Sequence, residues 1–175
     1  GGDSRSYVIP SFTGDLFMLK LDNNGLQQWA QTYGGSGYAG GGYVAMGTDN
    51  SYTILGKTTG FSSYPSDIYL INADTSGTMN WSKLYGYILD PDNKDKDNGY
   101  GIVQQTADGG YMIAGSSESF GAGDFDFYAV KTDKDGVSGG CFERDPATLE
   151  QSVTFTGAVA VLTQSAGMST GSATT

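Results

Sequence analysis

The sequence has no histidine, which removes the commonest general base, the commonest transition-metal ligand and any C-x-x-C-H haem attachment. It has one cysteine, Cys141, so no internal disulfide, zinc–thiolate site or iron–sulfur site can be built from it. A buried or incidental thiol is one reading of Cys141, and an intermolecular bridge or reactive group is the other. Only nine residues are Lys or Arg against 19 Asp or Glu, a formal charge of -10. That balance argues against nucleic acid, whose backbone is bound through Lys and Arg, and against an anionic membrane surface. The longest apolar runs, "YMIAG" and "GAVAVL", fall far short of the roughly 20 residues a membrane helix needs. No stretch of ten or more residues carries an i, i+3, i+4 apolar stripe, and prolines number four. No basic segment followed by an apolar one opens the sequence, so a secreted protein would be read here with its signal peptide already removed.

What is abundant is glycine, at 28 residues, and aromatics, at 13% of the 175 residues. Together these suit short strands joined by tight turns, and the expected class is all-β, in one domain. The chain also repeats itself. "DLFMLKLDNNGLQQWAQTYG" from Asp15 returns as "DIYLINADTSGTMNWSKLYG" from Asp67, and in shortened form as "DFYAVKTDKDG" from Asp126. Asp15, Asp67 and Asp126 open the copies, and Gly25, Gly77 and Gly136 stand at the same place in each. Asp22, Asp74 and Asp133 also correspond. The second interval is longer than the first because "DPDNKDK" has no counterpart earlier in the chain.

Each unit is expected to hold four strands, of the types "GYVAMG", "SYTILGKT", "DIYLINAD" and "NWSKLYG", with units at about 7–33, 42–85 and 99–141. The linkers "TDN", "ADG", "NNG", "TSG" and "KDG" carry hairpin chemistry, so consecutive strands should be antiparallel neighbours. The third strand is apolar on both faces: Tyr69, Ile71 and Ala73 alternate with Ile68 and Leu70. A sheet with one wet side would alternate apolar and polar residues. These strands therefore need cover on two sides, which four-stranded blades stacked face to face provide. The expectation is a β-propeller-like stack of about three antiparallel blades, over residues 1–145. Three blades are too few to close, so the ring would be partial, completed by oligomerisation, or completed by sequence lying elsewhere. Residues 146–175 read as a strand followed by a Ser/Thr/Gly/Ala-rich flexible tail. "QSVTFTGAVAVLTQ", residues 151–164, could supply the missing first strand of the opening unit or add to a neighbouring molecule.

The pattern "GYGIVQQTADGGYMIAGSSESFGAGDFDFYAVKTDKDG", followed in the earlier copies by a Trp and "LYG" or "TYGG", resembles the secreted repeat proteins of bacteria and archaea predicted to form β-propellers. The resemblance covers residues 7–141 and implies an extracellular or cell-surface propeller without known catalytic activity. Two departures stand out. Pro10 and Ser11 replace the Leu55-Gly56 and Ala114-Gly115 of the other copies, and in the last copy Gly140 replaces the Trp while Arg144 replaces Tyr33 and Tyr85.

Three features bear on chemistry. Asp90, Asp92, Asp95 and Asp97 crowd one loop at near-alternate positions, a spacing that can converge carboxylates on calcium, although Lys94 and Lys96 interrupt it and no EF-hand pattern is present. A solvated insertion loop is the competing reading. Trp29 and Trp81 could stack on a sugar or peptide ligand, or pack between blades. The recurring aspartates are read as turn caps and strand ends, because a catalytic carboxylate pair needs two distinct environments and repetition supplies the same one. The resulting expectation is a non-catalytic secreted or cell-surface module for protein–protein interaction or extracellular assembly, with no catalytic residue and no cofactor besides calcium. Its partners would be other copies of itself or another extracellular protein. The rivals are a lectin-like propeller binding glycan or peptide, a subunit of an extracellular filament, and a carboxylate- or metal-dependent hydrolase or lyase.

Overall fold

The structure is a computed structural model that describes residues 2–5, 14–61, 66–86, 96–99, 104–120, 124–140 and 143–153. Thirteen strands and no helix are found among these residues. The protein is all-β, and every pairing between its strands is antiparallel. Sheet 1 runs β1 (Gly2–Arg5), β2 (Gly14–Leu21), β3 (Gln27–Gly34) and β13 (Leu149–Ser152). Sheet 2 runs β4 (Ala39–Met46), β5 (Tyr52–Thr58), β6 (Asp67–Ala73), β7 (Met79–Tyr85) and β12 (Glu143–Arg144). Sheet 3 pairs β8 (Asp97–Gly99) and β9 (Gln104–Gln105) with β10 (Tyr111–Ser117), and β10 with β11 (Asp126–Lys131).

The strands follow the repeat. Between β2 and β3 the chain reverses because Asp22 Oδ1 accepts the N–H groups of Asn24 and Leu26, each at 2.8 Å, while Gly25 adopts a φ of 79°. Asp74 does the same for Ser76 and Thr78, and Asp133 for Asp135 and Val137, with Gly77 and Gly136 at φ 85° and 76°. A side-chain carboxylate that ties two turn amides, followed by a residue free to enter the left-handed region, fixes a tight hairpin. In all three copies this aspartate caps the turn that it opens.

The opening aspartates work differently. Register places Asp67 opposite Thr58 and Asp126 opposite Ser117, and in sheet 1 it places Asp15 opposite Ser4. At the far end of the same unit Gly34 lies against the Asp15 carboxylate, and Gly86 against that of Asp67. A Cβ at either glycine would fall on the carboxylate, which explains why the fourth strand ends in Tyr-Gly.

Two apolar cores join the sheets. Leu16 and Met18 of sheet 1 pack on Tyr69 and Ile71 of sheet 2, together with Tyr33 and Ile54. Ile68 and Leu70, on the opposite face of β6, pack with Leu55 and Tyr85 against Ile113 and Val130 of sheet 3. All seven residues of β6 are buried, as two-sided apolarity requires. The same contact recurs at both seams. Trp29 lies over Gly77, whose carbonyl accepts the Tyr33 hydroxyl at 2.5 Å, and Trp81 lies over Gly136, whose carbonyl accepts the Tyr85 hydroxyl at 2.6 Å. Each fourth strand thus grips the hairpin of the next unit. Asn72 is buried and donates to Ser51, Thr53 and the Tyr111 hydroxyl, binding sheets 2 and 3 by polar contacts within the seam.

Burial raises the phenol pKa values of Tyr33 and Tyr69, and the carboxylates of Glu150 and Asp74 around Tyr33, and of Asp15 near Tyr69, add to the rise. In the unfolded chain both phenols ionise near pH 10. The folded values lie higher, so stability from these groups is fully present below about pH 10 and is lost as pH climbs through the folded values. Thermal melts between neutral pH and about pH 11 should show a fall in midpoint that Tyr33→Phe and Tyr69→Phe each flatten; an equally steep fall in both variants would refute the assignment.

The chain departs from four regular strands per unit at both ends. Among the described residues only sheet 2 holds all four strand types. The strand beside β2 is Gly2–Arg5, whereas "YVIPSF" lies outside the described residues. After the Asp133 turn, Gly139 and Gly140 take φ values of 70° and 144°, and among the described residues no fourth strand pairs with β11. Glu143 and Arg144 pair instead with Tyr85 and Leu84 of sheet 2, and Leu149–Ser152 pair with Gln31 to Gly34 of sheet 1. The described part of the expected C-terminal strand therefore covers the β3 edge, not the β1 edge where a first strand would stand; residues 154–164 lie outside the described residues. This return segment is pinned as it crosses. Thr148 bonds the Tyr69 and Ser82 hydroxyls at 2.6 and 2.8 Å, and Glu150 accepts the Met79 N–H at 2.8 Å.

Candidate functional site

Sheet 3 is where the repeat fails to cover itself. On β11, Tyr128 and Val130 turn towards sheet 2, while Phe127, Ala129 and Lys131 point the other way. Register continues this second face onto β10 through Ser116, Ala114 and Met112. Phe127 corresponds to Ile68 and Ala129 to Leu70, both 0% exposed beneath sheet 3, yet Phe127 is 80% exposed and Met112 41%. Phe125 beside them is 49% exposed. Side chains of the type buried at the inner seams here meet solvent. A large apolar surface of this kind marks a contact site more often than a tolerated exposure. Lys131 edges the face with its ammonium on Asp108 at 2.8 Å, and that contact holds the Asp108 carboxyl well below the usual range. Among the described residues no strand pairs with the outer edge of β11.

A second locus lies between sheets 2 and 3. Asp67 and Asp97, both buried, converge beside Gly86. Arg144, carried in by the return segment, donates to Asp67, while Ser119 donates to Asp97 at 2.7 Å. The backbone ties the same point, since the Asp97 N–H donates to the Ser66 carbonyl at 2.8 Å. Two carboxylates with different partners have the distinct environments that a catalytic pair requires. They are nevertheless occupied in joining three chain segments, and the chemistry they supply here is an ion pair and a hydrogen bond.

Of the residues expected to bind calcium, Asp97 is this buried group, and Asp90, Asp92 and Asp95 lie outside the described residues. Among the described residues no group of three or more Asp, Glu or Cys side chains is placed to hold a metal ion. Cys141 is also outside them. Trp29 and Trp81 are half-buried. Trp29 Nε1 donates to the Thr75 carbonyl at 2.9 Å and its ring meets Tyr52 edge-on at 5.7 Å; Trp81 meets Tyr111 edge-on at the same distance. Both indoles are engaged with the neighbouring sheet. Residue type alone did not reveal Phe127, because Leu16, Ile68 and Phe127 look alike in sequence and differ only in whether a further sheet follows.

No protein-family model matches this chain, and no curated protein aligns with it significantly. No described helix is long and apolar enough to cross a membrane.

Proposed function

We propose that this chain is a non-catalytic assembly module, secreted or displayed at a cell surface, built as a partial β-propeller of three blade-like sheets that completes its stack with a second copy of itself. The observation that carries this is the bare apolar face of sheet 3, at positions that sheet 2 buries completely. Both inner seams obey one rule: the Leu16/Met18 or Ile68/Leu70 face of one sheet meets the Tyr69/Ile71 or Tyr128/Val130 face of the next. By that rule Phe127 and Ala129 call for a surface of the second kind. Sheet 1 offers it as Leu19 and Leu21, half-buried side chains that belong to neither core. Docking sheet 1 of one copy on sheet 3 of another is a heterologous contact, and its rotation decides between a ring and an open filament.

Light scattering on the native particle tests this. The protein should exceed its 18.3 kDa chain mass in a concentration-dependent way. Phe127→Glu should return it to the monomer without lowering its melting temperature, because the side chain is solvent-exposed in the single chain. A wild-type protein that stays monomeric throughout its soluble range would refute the proposal.

A further inference from the structure

We infer that Lys131 sets the register of the second copy: on assembly its ammonium leaves Asp108 and donates to the Asn23 carbonyl on sheet 1 of that copy. This rests on the assembly proposed above and names the polar contact within it. Lys20, Asn72 and Lys131 stand at the same place in the three third strands, each five residues after the opening aspartate. At both inner seams this residue reaches forward onto the next sheet. Lys20 Nζ donates to the Thr75 carbonyl in the hairpin of sheet 2 at 3.2 Å, and lies 5.5 Å from the centre of the Tyr52 ring. Asn72 Nδ2 donates at 3.1 Å to the hydroxyl of Tyr111 on sheet 3, and Tyr111 is the counterpart of Tyr52. Lys131 stands on the last face of the stack. Its ammonium turns back onto its own sheet, to the Asp108 carboxylate at 2.8 and 3.0 Å and to the Thr132 carbonyl at 2.7 Å.

Sheet 1 carries the acceptor that this pattern calls for. Asn23 follows Asp22 as Thr75 follows Asp74, and the two turns are built alike. Asp22 N–H donates to the Leu26 carbonyl at 2.8 Å and Gly25 N–H to the Asp22 carbonyl at 3.0 Å; the matching bonds from Asp74 to Thr78 and from Gly77 to Asp74 are 2.8 and 3.1 Å. The Thr75 carbonyl faces back to sheet 1, where it receives Lys20 and the Trp29 indole. Equal turn geometry aims the Asn23 carbonyl to the outer side of sheet 1, away from sheet 2. Asn23 is exposed, and among the described residues none donates to its carbonyl.

Lys131 loses little by the exchange. Its side chain and that of Asp108 are 40% and 65% exposed, and an ion pair so open to water adds little stability. Asp108 keeps its turn without the ammonium, because its carboxylate also accepts the Thr106 hydroxyl and, at 3.1 Å, the Gly110 N–H. Lys131 shares its face with Phe127 and Ala129, so docking of a second sheet draws the ammonium out of water. A charged donor in that setting gains from an acceptor and is penalised without one. A copy that docks out of register leaves Lys131 unmatched, and that penalty gives the apolar face its selectivity.

Sedimentation of full-length variants tests the contact, together with a photo-cross-linking residue in place of Asn23 in a mixture of isotopically heavy and light chains. Lys131→Gln, too short to reach the carbonyl, should weaken self-association roughly 10-fold, as loss of a hydrogen bond from a charged donor does. Asp108→Asn keeps the oxygen that caps the turn and releases Lys131, so it should associate at least as tightly as the wild type. Heavy-to-light cross-links should map to Lys131 and Thr132 or to the Asp108 turn. Equal weakening by both substitutions would make the intact Lys131–Asp108 pair the interface element and overturn the inference, as would cross-links confined to single chains. If Lys131→Gln changes nothing while Phe127→Glu dissociates the particle, the assembly stands and only this contact is lost. If neither alters association, both fail.

Discussion

Replacing Arg144 by alanine is expected to lower the unfolding free energy by about 3 kcal/mol, the low end of the cost of removing one partner of a buried ion pair. Asp67 is 4% exposed and sits where sheets 2 and 3 meet, with Asp97 close by, so its charge has little access to water once the guanidinium is gone. Among the described residues Arg144 is also one of two that pair the return segment to β7, so its side chain anchors the start of that segment. For a chain of this size the change corresponds to a fall in melting temperature of roughly 6–12 °C. Pairing Arg144→Met with Asp67→Asn should recover most of it, since removing both charges leaves no uncompensated ion. Calorimetry on the two variants decides the matter. A single variant as stable as the wild type would mean that the ion pair contributes nothing, and a double variant no better than the single would mean that Arg144 acts through packing alone.

The residue that makes this contact shows where sequence reasoning reaches and where it stops. Arg144 stands in the register of Tyr33 and Tyr85, and a departure from the repeat was legible at that position. Its destination was not, because the partner, Asp67, lies in another unit 77 residues away. What could be read were features enforced within one hairpin or one strand. The Asp-x-x-Gly turns had to be turns, since only that chemistry closes them. The third strand of the middle unit had to be covered twice, since β6 has no polar face. Gly2–Arg5 could not be read as a strand, because Gly, Asp, Ser and Arg have little strand preference of their own and the pairing is imposed by β2. The short return strands are equally silent: two residues at β12 and four at β13 give periodicity no room to show. For the candidate site, the types of Phe127 and Met112 predict burial, and their exposure is a property of how many sheets the described chain stacks.

Trp81→Ala should be comparably damaging, at about 3 kcal/mol, near the lower bound for truncating a large aromatic side chain because the indole is only half-buried. The ring fills the space over Gly136, where even an added Cβ would come within 2.7 Å of it, and it meets Tyr111 edge-on. Removing it opens a void directly beside the turn that ends sheet 3, bordered by Gly136 and the Lys83 side chain. Tyr85, whose hydroxyl reaches the Gly136 carbonyl, then becomes the remaining fourth-strand grip on that hairpin. Trp81→Phe keeps part of the cover and should cost less than half as much. Because the ring and Gly136 form one contact, Gly136→Ala should be strongly destabilising in the wild type, yet add less than its full cost in the Trp81→Ala background, where the ring is gone and the backbone strain at φ 76° and the approach of the Lys83 side chain remain. A double-mutant cycle by chemical denaturation reads this coupling directly. Additive costs would show that the two residues are independent, and the idea that each unit holds the next by a tryptophan laid over a glycine would have to be abandoned.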